Sequence, residues 1–484
     1  MKHNKEYSIF LRDSFRKRIF NIAITKFGSQ QKLADYLNSK IKSRHIMRRS
    51  IGYWIKGRHY FGYNLFIPIG VVKELCLINK INLKWAFKNA IKFNRPWFDP
   101  RNKKFLIRSK KMKIIKKNGQ EYLDIYSILP KETLPAARSK KNLPLFAKKD
   151  NYFVQLWSES SWRPSKIKLR RFIKINELFF TGAAVYASEG LTKTENYNDC
   201  IWLGNSEPAV INFFLRWLDS FLNHYKLSFS IDYNGRNCNE KNIRDFWNQN
   251  ILFLKESHRL EIRKKAAYNS ALKNNFGVLK VRVSNTVLKT FTLKLLDIAK
   301  KLALKKKKHT IFYLRSLLAC EGCVYTSSVL KEISIGCSSE REKGFIRKLL
   351  KKMELNFCER KEQFKISGWN RFFTLYKADA FKIKQINSNS KKENFLLGFK
   401  NHQKTQRLFK LRKFKNKDFT AKKWQNVFGL KKYISAHKFL NPLIEEKILL
   451  FYFKKNVKYY YINSKNKPFL ESIWRLRNYK SLII

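Results

Sequence analysis

The sequence predicts a mixed α+β protein with a duplicated core of pseudo-twofold symmetry and a smaller unit on each side of it. Hydrophobic residues make up 44% of the chain and aromatic residues 15%, enough to build packed cores. The central part repeats itself at a spacing of 132 positions. The first hundred residues carry apolar positions at helical spacing, and the C-terminal part combines helices with a strand pair.

The charge predicts a nucleic-acid partner. The 484 residues include 103 Lys and Arg against 35 Asp and Glu, for a formal net charge of +68. Such a charge destabilises a compact state unless a polyanion neutralises it, and phosphate backbones supply that neutralisation. Codon bias in an AT-rich genome would also raise the Lys, Asn, Ile and Phe content. That bias does not explain why so few acids accompany the lysines.

The composition also excludes several protein classes. No run of about 18 apolar residues is present, so we expect no membrane span. The N-terminal residues lack the apolar core of a secretory signal, and seven irregularly spaced cysteines indicate a reducing compartment. Cys320 and Cys323 lack a second pair at zinc-ligand spacing. We expect an intracellular protein, in the cytoplasm or nucleoid of an AT-rich microbe or in a chloroplast or mitochondrion.

Shifts in composition divide the chain into six parts. They are a helical unit (1–96), a basic, β-rich connecting segment (97–171), a first core half (172–304), a second core half (305–383), a linker (384–395), and a last compact unit with a basic tail (396–484). The residues of the connecting segment indicate no function.

The internal repeat lies inside the core. A shift of 132 positions, without gaps, places Glu189 on Glu321 and Gly190 on Gly322. Further identities follow the same shift: Ala187 on Ala319, Gly204 on Gly336, Phe213 on Phe345 and Leu218 on Leu350. Each copy has the pattern of a helix that ends in Glu-Gly, a strand pair and an amphipathic helix. The concentration of matches at glycine and acidic positions favours duplication over chance.

Two nine-residue segments, GAAVYASEG at 182–190 and LRSLLACEG at 314–322, resemble degenerate forms of the LAGLIDADG signature of homing endonucleases. The resemblance implies a duplicated αββαββα-type core in which two such helices pack side by side at the centre. An acid then emerges at the base of the pair, over the DNA; Glu189 and Glu321 occupy that position. The small residues expected to permit the close helix approach are Ala183, Ala187, Gly190, Ala319 and Gly322.

The two acids suit metal-dependent cleavage of both strands of a duplex. Divalent cations polarise phosphate and activate water, and Mg²⁺ prefers carboxylate oxygen. The resemblance therefore implies Mg²⁺ or Mn²⁺ held by Glu189 and Glu321. The alternative is that each glutamate only ends a core helix. This chain departs from the family pattern in having Glu where Asp is commoner, and in the bulk of Tyr186 and Arg315.

The family often places a basic residue near its metal site, where it stabilises charge that develops on phosphate. The strand patterns at 278–283 and 363–366 look like the closing strand of each half, and they carry Lys280 and Lys365. These two lysines are the candidates for that role. The alternative is that each is an ordinary DNA-facing or solvated strand lysine.

The N-terminal stretches FGSQQKLADYLN (27–38) and RRSIGYWIKG (48–57) resemble a helix-turn-helix of the phage-repressor type, with a longer, basic connection. Leu33, Ala34 and Leu37 would pack the first helix, and Ile51, Trp54 and Ile55 would anchor the second. The resemblance implies that four outward residues face the major groove or phosphates: Arg48, Arg49, Tyr53 and Lys56. The alternative is an ordinary small helical bundle.

The C-terminal residues 419–462 resemble a winged helix. Thr420 would cap one helix, Gly429 would form the turn, and two strands would flank a wing at Lys455 and Asn456. Pro442 lies inside the expected recognition helix, which it would shorten or kink. The groove-facing candidates are Lys431, Lys432, Tyr433 and His437. For the aromatic run 459–461 we favour strand packing over a base-stacking platform.

We therefore expect a monomeric endonuclease that cuts double-stranded DNA at a specific long site. The chain begins at Met1 and ends in Ser-Leu-Ile-Ile, without intein splice-junction residues, so a free-standing or intron-encoded protein is expected. One alternative keeps the fold without cleavage, as a DNA-binding regulator or an intron RNA maturase. Another is a structural RNA-binding protein, such as an organellar ribosomal component. Dependence of activity on metal and on Glu189 and Glu321 distinguishes these functions.

Overall fold

A computed structural model describes residues 8–41, 45–57, 65–93, 105–108, 111–135, 142–158, 165–190, 200–233, 239–251, 260–264, 276–337, 339–381 and 389–478. They form a mixed α+β protein with several small, mostly antiparallel sheets, so the predicted α+β class is confirmed. Buried apolar side chains form one cluster within residues 9–93 and another within residues 123–476. The N-terminal unit thus has a core of its own.

The described residues of the N-terminal unit form three short strands and five helices. Strand β1 (Ser8–Leu11) lies between β2 (Ile67–Pro68) and β3 (Ala90–Phe93). The helices are α1 (Asp13–Phe27), α2 (Gln30–Lys40), α3 (Arg48–Lys56), α4 (Ile69–Ile78) and α5 (Leu83–Lys88). Five of the six residues expected to pack α2 and α3 are buried, and Ile55 is half-buried; the five are Leu33, Ala34, Leu37, Ile51 and Trp54.

A buried arginine holds the end of α3 in place. Arg16 is 1% exposed and donates hydrogen bonds to the carbonyl oxygens of Leu11 (2.9 Å) and Lys56 (3.3 Å). Asp13 pairs with the same guanidinium at 2.7 Å. Gly57, at φ +74°, ends α3 directly against Arg16, where a Cβ would collide with the guanidinium. Charge-assisted donors therefore satisfy carbonyls that a helix end leaves open.

The predicted connecting segment is not a separate connector, because its described residues belong to the main core. Strands β4 (Ile114–Lys117), β5 (Gln120–Asp124) and β9 (Phe172–Lys174) form one sheet, and β6 (Leu145–Lys149), β7 (Phe153–Ser158) and β8 (Ser165–Arg170) form another. The Leu134 amide donates to the Thr290 hydroxyl (3.0 Å), and the Ser165 hydroxyl donates to Asn285 (2.8 Å). Both partners lie in the first core half.

The first core half begins with the first central helix, α6 (Glu177–Glu189). Its remaining elements are β10 (Cys200–Asn205), α7 (Pro208–Asp219), β11 (Ser228–Tyr233), α8 (Glu240–Asn250), β12 (Leu260–Lys264), β13 (Val278–Ser284) and α9 (Thr286–Ala303). The strand order in the sheet is β10-β13-β11-β12, with β12 parallel to β11. The strand expected directly after Gly190 falls on residues 191–199, outside the described residues.

The second core half begins with the second central helix, α10 (Lys307–Glu321). It continues through β14 (Gly322–Thr326), β15 (Leu330–Gly336), α11 (Glu340–Lys352), β16 (Cys358–Arg360), β17 (Gln363–Ser367) and α12 (Trp369–Lys377). The strand order is β14-β15-β17-β16. At the repeat spacing of 132 positions, the two central helices end at equivalent residues, and α7 and α11 begin at equivalent residues. Helix α8 and strand β12 have no counterpart among the described residues of the second half.

Two bulky side chains of the central helices, Tyr186 and Arg315, have defined partners. Tyr186 is fully buried and stacks on Phe214 (ring centroids 5.5 Å apart) and Trp217 (5.9 Å), both in α7. Gly182 lies under the Trp217 ring, with which a Cβ would collide. Arg315 reaches across to Glu177 at 2.8 Å and donates to the Asp379 carbonyl oxygen at 3.0 Å. The fold therefore accommodates the bulk of Tyr186 and Arg315.

The C-terminal part begins with α13 (Asn389–Asn401), so the predicted linker 384–395 is wrong from residue 389 onward; residues 384–388 lie outside the described residues. The further elements are α14 (Gln403–Lys410), β18 (Phe419–Thr420), α15 (Ala421–Val427), α16 (Tyr433–Glu445), β19 (Leu449–Lys454), β20 (Val457–Ile462) and α17 (Lys467–Leu476). Their sheet has the order β18-β20-β19.

Local signals in this part are confirmed. The Thr420 hydroxyl accepts from the Lys423 amide at 3.2 Å and caps α15. Gly429 has φ +58°, and Lys455 and Asn456 both have positive φ in the hairpin turn between β19 and β20. Such a pair of left-handed residues matches the twist of a two-residue hairpin.

The predicted basic tail contains a packed helix instead. The Trp474 indole of α17 is buried and donates to the Leu408 carbonyl oxygen at 3.0 Å. Trp369 of the second core half donates to the Thr405 hydroxyl at 2.9 Å. The C-terminal part and the second core half are therefore joined by buried contacts and share one core.

Among the described residues, no helix has both the length and the apolar character needed to cross a membrane.

We expect Gly182→Ala to destabilise the protein by about 2 kcal/mol, because the new methyl group must displace the buried Trp217 ring. Gly344→Ala is the matched control, since its helical Cβ would lie in open space; it should stabilise by up to about 1 kcal/mol. Urea denaturation midpoints at unchanged slope measure both effects. Equal midpoints for the two variants would contradict the packing of Trp217 on Gly182.

Candidate functional site

The two central helices lie side by side and run in the same direction. Near their beginnings, Phe180 stacks on His309 with ring centroids 4.5 Å apart. At their far ends, Glu189 and Glu321 are close enough for the charge of Glu189 to raise the pKa of Glu321. The structure thus brings together the two acids that the repeat predicted.

Both carboxyls have a pKa above the ordinary value, and burial is the main cause for each. Neighbouring acids add to this effect, since Glu207 raises the pKa of Glu189 and Glu342 raises that of Glu321. Four acids therefore gather at the base of the central helices, in a chain with 35 acids against 103 basic residues. Such a concentration of negative charge favours a cation.

Polar contacts position the two carboxyls. The Asn205 side chain donates a hydrogen bond to Glu189 and thereby opposes the rise in its pKa. Glu321 lies over the end of β15, with its Oε2 3.7 Å from the point where a Cβ on Gly336 would be. A Cβ at position 336 would therefore make only ordinary van der Waals contact with this carboxyl.

Lys391 is a site residue that the sequence did not reveal. Its Nζ donates to the carbonyl oxygens of Ala319 (2.6 Å) and Cys320 (3.0 Å), directly before Glu321. The same ammonium lowers the pKa of Glu189 and Glu321, against the effect of burial. Lys391 lies in the segment predicted as a linker, where one lysine among many carried no distinguishing pattern.

The two lysines predicted near the metal site have other partners. Lys280 pairs with the buried Asp232 at 2.5 Å, and Lys365 pairs with Glu332 at 2.7 Å. Neither lysine is among the groups that shift the pKa of Glu189 or Glu321. Each belongs to the strand surface of its own half.

The predicted helix-interface residues divide into two groups. Ala183 is fully buried, and Ala187 and Ala319 are half-buried on the central helices. Gly190 and Gly322 serve the exit from the helix instead. A Cβ on Gly190 would collide with the Tyr186 ring, and one on Gly322 with the Leu318 carbonyl. These glycines let the chain leave each helix directly after its acid.

The N-terminal candidates lie on α3, far from the glutamates in sequence and in a separate core. Arg48, Arg49 and Lys56 are exposed, whereas Tyr53 is half-buried. The three exposed cations lie at the two ends of α3 and are available to a phosphate backbone.

The C-terminal candidates are not equally accessible. Lys431, Lys432 and Tyr433 are exposed, but His437 is half-buried. The His437 Nδ1 lies 3.4 Å from the Tyr460 hydroxyl, and its ring packs edge-on against Tyr433. We therefore correct the groove-facing assignment of His437, because its ring contacts the hairpin. Tyr460 is fully buried, which favours the packing interpretation of the aromatic run.

Two glutamates could hold a divalent cation at this position. The described part of the chain contains no group of three or more His, Cys, Asp or Glu side chains arranged to bind a metal. Mg²⁺ usually keeps several waters and binds through one or two carboxylates together with substrate phosphates. The hard oxygen donors of Glu189 and Glu321 fit Mg²⁺ or Mn²⁺ bound in that manner.

No protein-family model matches the chain, and the search of curated proteins found no match.

We expect Glu321→Gln to stabilise the metal-free protein at pH 7. Because the folded-state pKa of Glu321 lies above its ordinary value, the folded protein holds more protons than the unfolded chain between these two values. Its stability therefore falls as the pH rises through this interval, and the substitution removes that loss. Below about pH 4 the variant and the wild type should be equally stable.

Thermal unfolding in EDTA at the two pH values tests this expectation. Glu340→Gln is the control, because Glu340 is exposed and pairs only with Lys343 among the ion pairs of the described residues. A Glu321→Gln variant that is less stable than the wild type at pH 7 would contradict the buried, charge-crowded position of this carboxyl.

Proposed function

We propose that this protein is a site-specific DNA endonuclease of the LAGLIDADG homing type. It would hydrolyse phosphodiester bonds in both strands of a long duplex target, with Mg²⁺ or Mn²⁺ as cofactor. The observation that carries this proposal is the meeting of Glu189 and Glu321 at one end of two parallel, packed helices. A protein so rich in basic residues has no evident structural need for clustered acids beneath its central helices.

The topology supports a duplicated αββαββα core. The second half has that element order, from α10 to α12. The strands β10, β13 and β11 of the first half adjoin in the same order as β15, β17 and β16 of the second. A core that contains both halves supports action as a monomer with internal pseudo-twofold symmetry.

The chain's own residues can prepare the reaction. Glu189 and Glu321 would hold the cation, which supplies polarisation of the phosphate and activation of water. Asn205 orients the Glu189 carboxyl through its hydrogen bond. The central helices fix both carboxyls relative to each other, so that little rearrangement is needed when substrate arrives.

The flanking units would anchor the DNA. The C-terminal order of helix, strand, two helices and a two-stranded hairpin (α14 to β20) supports a winged helix, and α2 and α3 support a helix-turn-helix. Exposed cations on α3 and before α16 suit phosphate contacts, which position a protein on a duplex without reading its sequence.

A second candidate is a protein of the same fold that binds without cleaving, either a DNA-binding regulator or an intron RNA maturase. The observation that favours it is the metal site itself. Two glutamates, without a third protein ligand among the described residues, hold a cation weakly unless substrate phosphates complete its coordination.

We expect the wild-type protein to cut members of a randomised duplex library at a long site in Mg²⁺. Glu189→Gln and Glu321→Gln should each lower the cleavage rate by at least about a hundredfold, because either change removes a cation ligand while it preserves side-chain shape. Glu340→Gln should cut at the wild-type rate. Specific retention of duplex without cleavage, equal in all four proteins, would establish the binding-only function.

We expect Arg49→Ala to weaken duplex binding uniformly across sequences and to reduce the dependence of log K on log salt by about one unit. Arg49 is exposed at the beginning of α3. Arg18→Ala removes the same charge from the exposed face of α1 and is the control. Fluorescence anisotropy at several salt concentrations measures both slopes, and identical slopes would exclude α3 from the DNA interface.

A further inference from the structure

We propose that Lys391 is a built-in counter-ion of Glu189 and Glu321, and that helix α13, which carries it, sets the affinity of this site for divalent cations. This inference rests on the proposed function and deepens it. It makes the C-terminal part of the chain a component of the metal site.

The position of Lys391 is fixed by two hydrogen bonds. Its ammonium donates to the carbonyl oxygens of Ala319 and Cys320, in the last turn of the second central helix. Those carbonyls are ones that a helix end leaves without intrahelical partners. A lysine held in this way keeps its charge beside the acid that follows, Glu321.

The rest of α13 is seated firmly on the second core half. Phe395 is buried and stacks on Phe381 with ring centroids 4.5 Å apart. The Asn401 side chain donates to the Ser328 carbonyl oxygen at 2.8 Å. Gly398 approaches the β14–β15 hairpin so closely that a Cβ would lie 2.9 Å from the Leu330 backbone nitrogen. Contacts along the whole helix therefore hold Lys391 in place.

The electrostatics of the acids match this placement. Lys391 acts on the pKa of both Glu189 and Glu321, in the direction that favours their charged forms. Three other lysines of the core halves pair elsewhere: Lys280 with Asp232, Lys365 with Glu332, and Lys343 with Glu340. Within the described part of the chain, Lys391 is the basic residue whose charge lowers the pKa of both glutamates.

A divalent cation that binds the two glutamates meets this fixed positive charge. Repulsion between the ammonium and the metal lowers metal affinity, because two like charges in a partly buried site interact more strongly than they do in water. The ammonium therefore limits metal binding until substrate phosphates add further negative charge. This arrangement couples cation loading to DNA binding and to the seating of α13.

Titration of the metal-free full-length protein with Mn²⁺, followed by electron paramagnetic resonance of the free ion, tests the proposal. The signal of a Glu189→Gln/Glu321→Gln double variant gives the Mn²⁺ bound elsewhere and is subtracted. Lys391→Ala should bind Mn²⁺ about tenfold more tightly than the wild type, because the repelling charge is gone. Lys391→Arg keeps the charge and should bind as the wild type does.

Lys392→Ala is the matched control, because it removes a neighbouring charge that lines a different cavity, of about 310 Å³, together with Phe381 and Arg475. Its Mn²⁺ affinity should not change. Weaker or unchanged Mn²⁺ binding in Lys391→Ala would overturn the counter-ion role, and so would an equal gain in Lys391→Arg.

A remote substitution tests the role of α13 independently. Gly398→Ala should push the helix off the hairpin, withdraw Lys391 and raise the Mn²⁺ affinity in the same direction as Lys391→Ala. Gly344→Ala, in open space, should have no effect. Unchanged Mn²⁺ affinity in a folded Gly398→Ala variant would contradict the claim that α13 sets the affinity of the site for divalent cations.

The Mn²⁺ titrations are independent of cleavage. A wild-type protein that shows the expected series of affinities but cuts no duplex would retain the counter-ion and refute the endonuclease. Cleavage that depends on both glutamates, combined with equal Mn²⁺ affinities in wild type and Lys391→Ala, would support the endonuclease and refute the counter-ion role of Lys391.

Discussion

The packing of two parallel helices that both end in glutamate is the constraint on which the rest of this structure depends. It places two partly buried carboxyls where desolvation and neighbouring acids oppose their ionisation. The Asn205 amide and the Lys391 ammonium counter that cost. The protein can fold with this site, but both carboxyls keep a raised pKa, and a further positive charge beside them would favour their ionised forms.

The pseudosymmetry is strongest at the centre and weakens toward the sheets. Gly204 and Gly336 are equivalent in the repeat, but their cross-strand neighbours are Lys280 and Gln363, so the predicted pair Lys280 and Lys365 does not occupy equivalent positions. The first sheet also carries an additional parallel strand, β12, which has no counterpart in the second. The two halves therefore present different side chains from equivalent strands, which suits a target without twofold symmetry.

Features with a local cause could be predicted from the sequence, and features with a distant cause could not. The cap at Thr420, the turn at Gly429 and the repeat of Glu-Gly at helix ends each depend on a few adjacent residues. The role of Lys391 depends on helix carbonyl groups far away in the sequence, for instance the Cys320 carbonyl oxygen, which lies 71 positions earlier in the chain. The packing of α17 and of the strands before Phe172 likewise depends on partners that no short motif specifies.

The helix α17 has a consequence for the order of synthesis. Its Phe469 packs on Phe373 and its Trp474 closes the interior near Leu408, so the hydrophobic interior of the second half is incomplete until these residues have left the ribosome. Domains commonly fold as they emerge, from the N-terminus onward. The separate N-terminal unit can thus acquire its structure early, while the half that carries Glu321 must wait for nearly the whole chain. Under the proposed function, a nascent or prematurely terminated polypeptide would acquire its N-terminal DNA-binding unit before the half that carries Glu321.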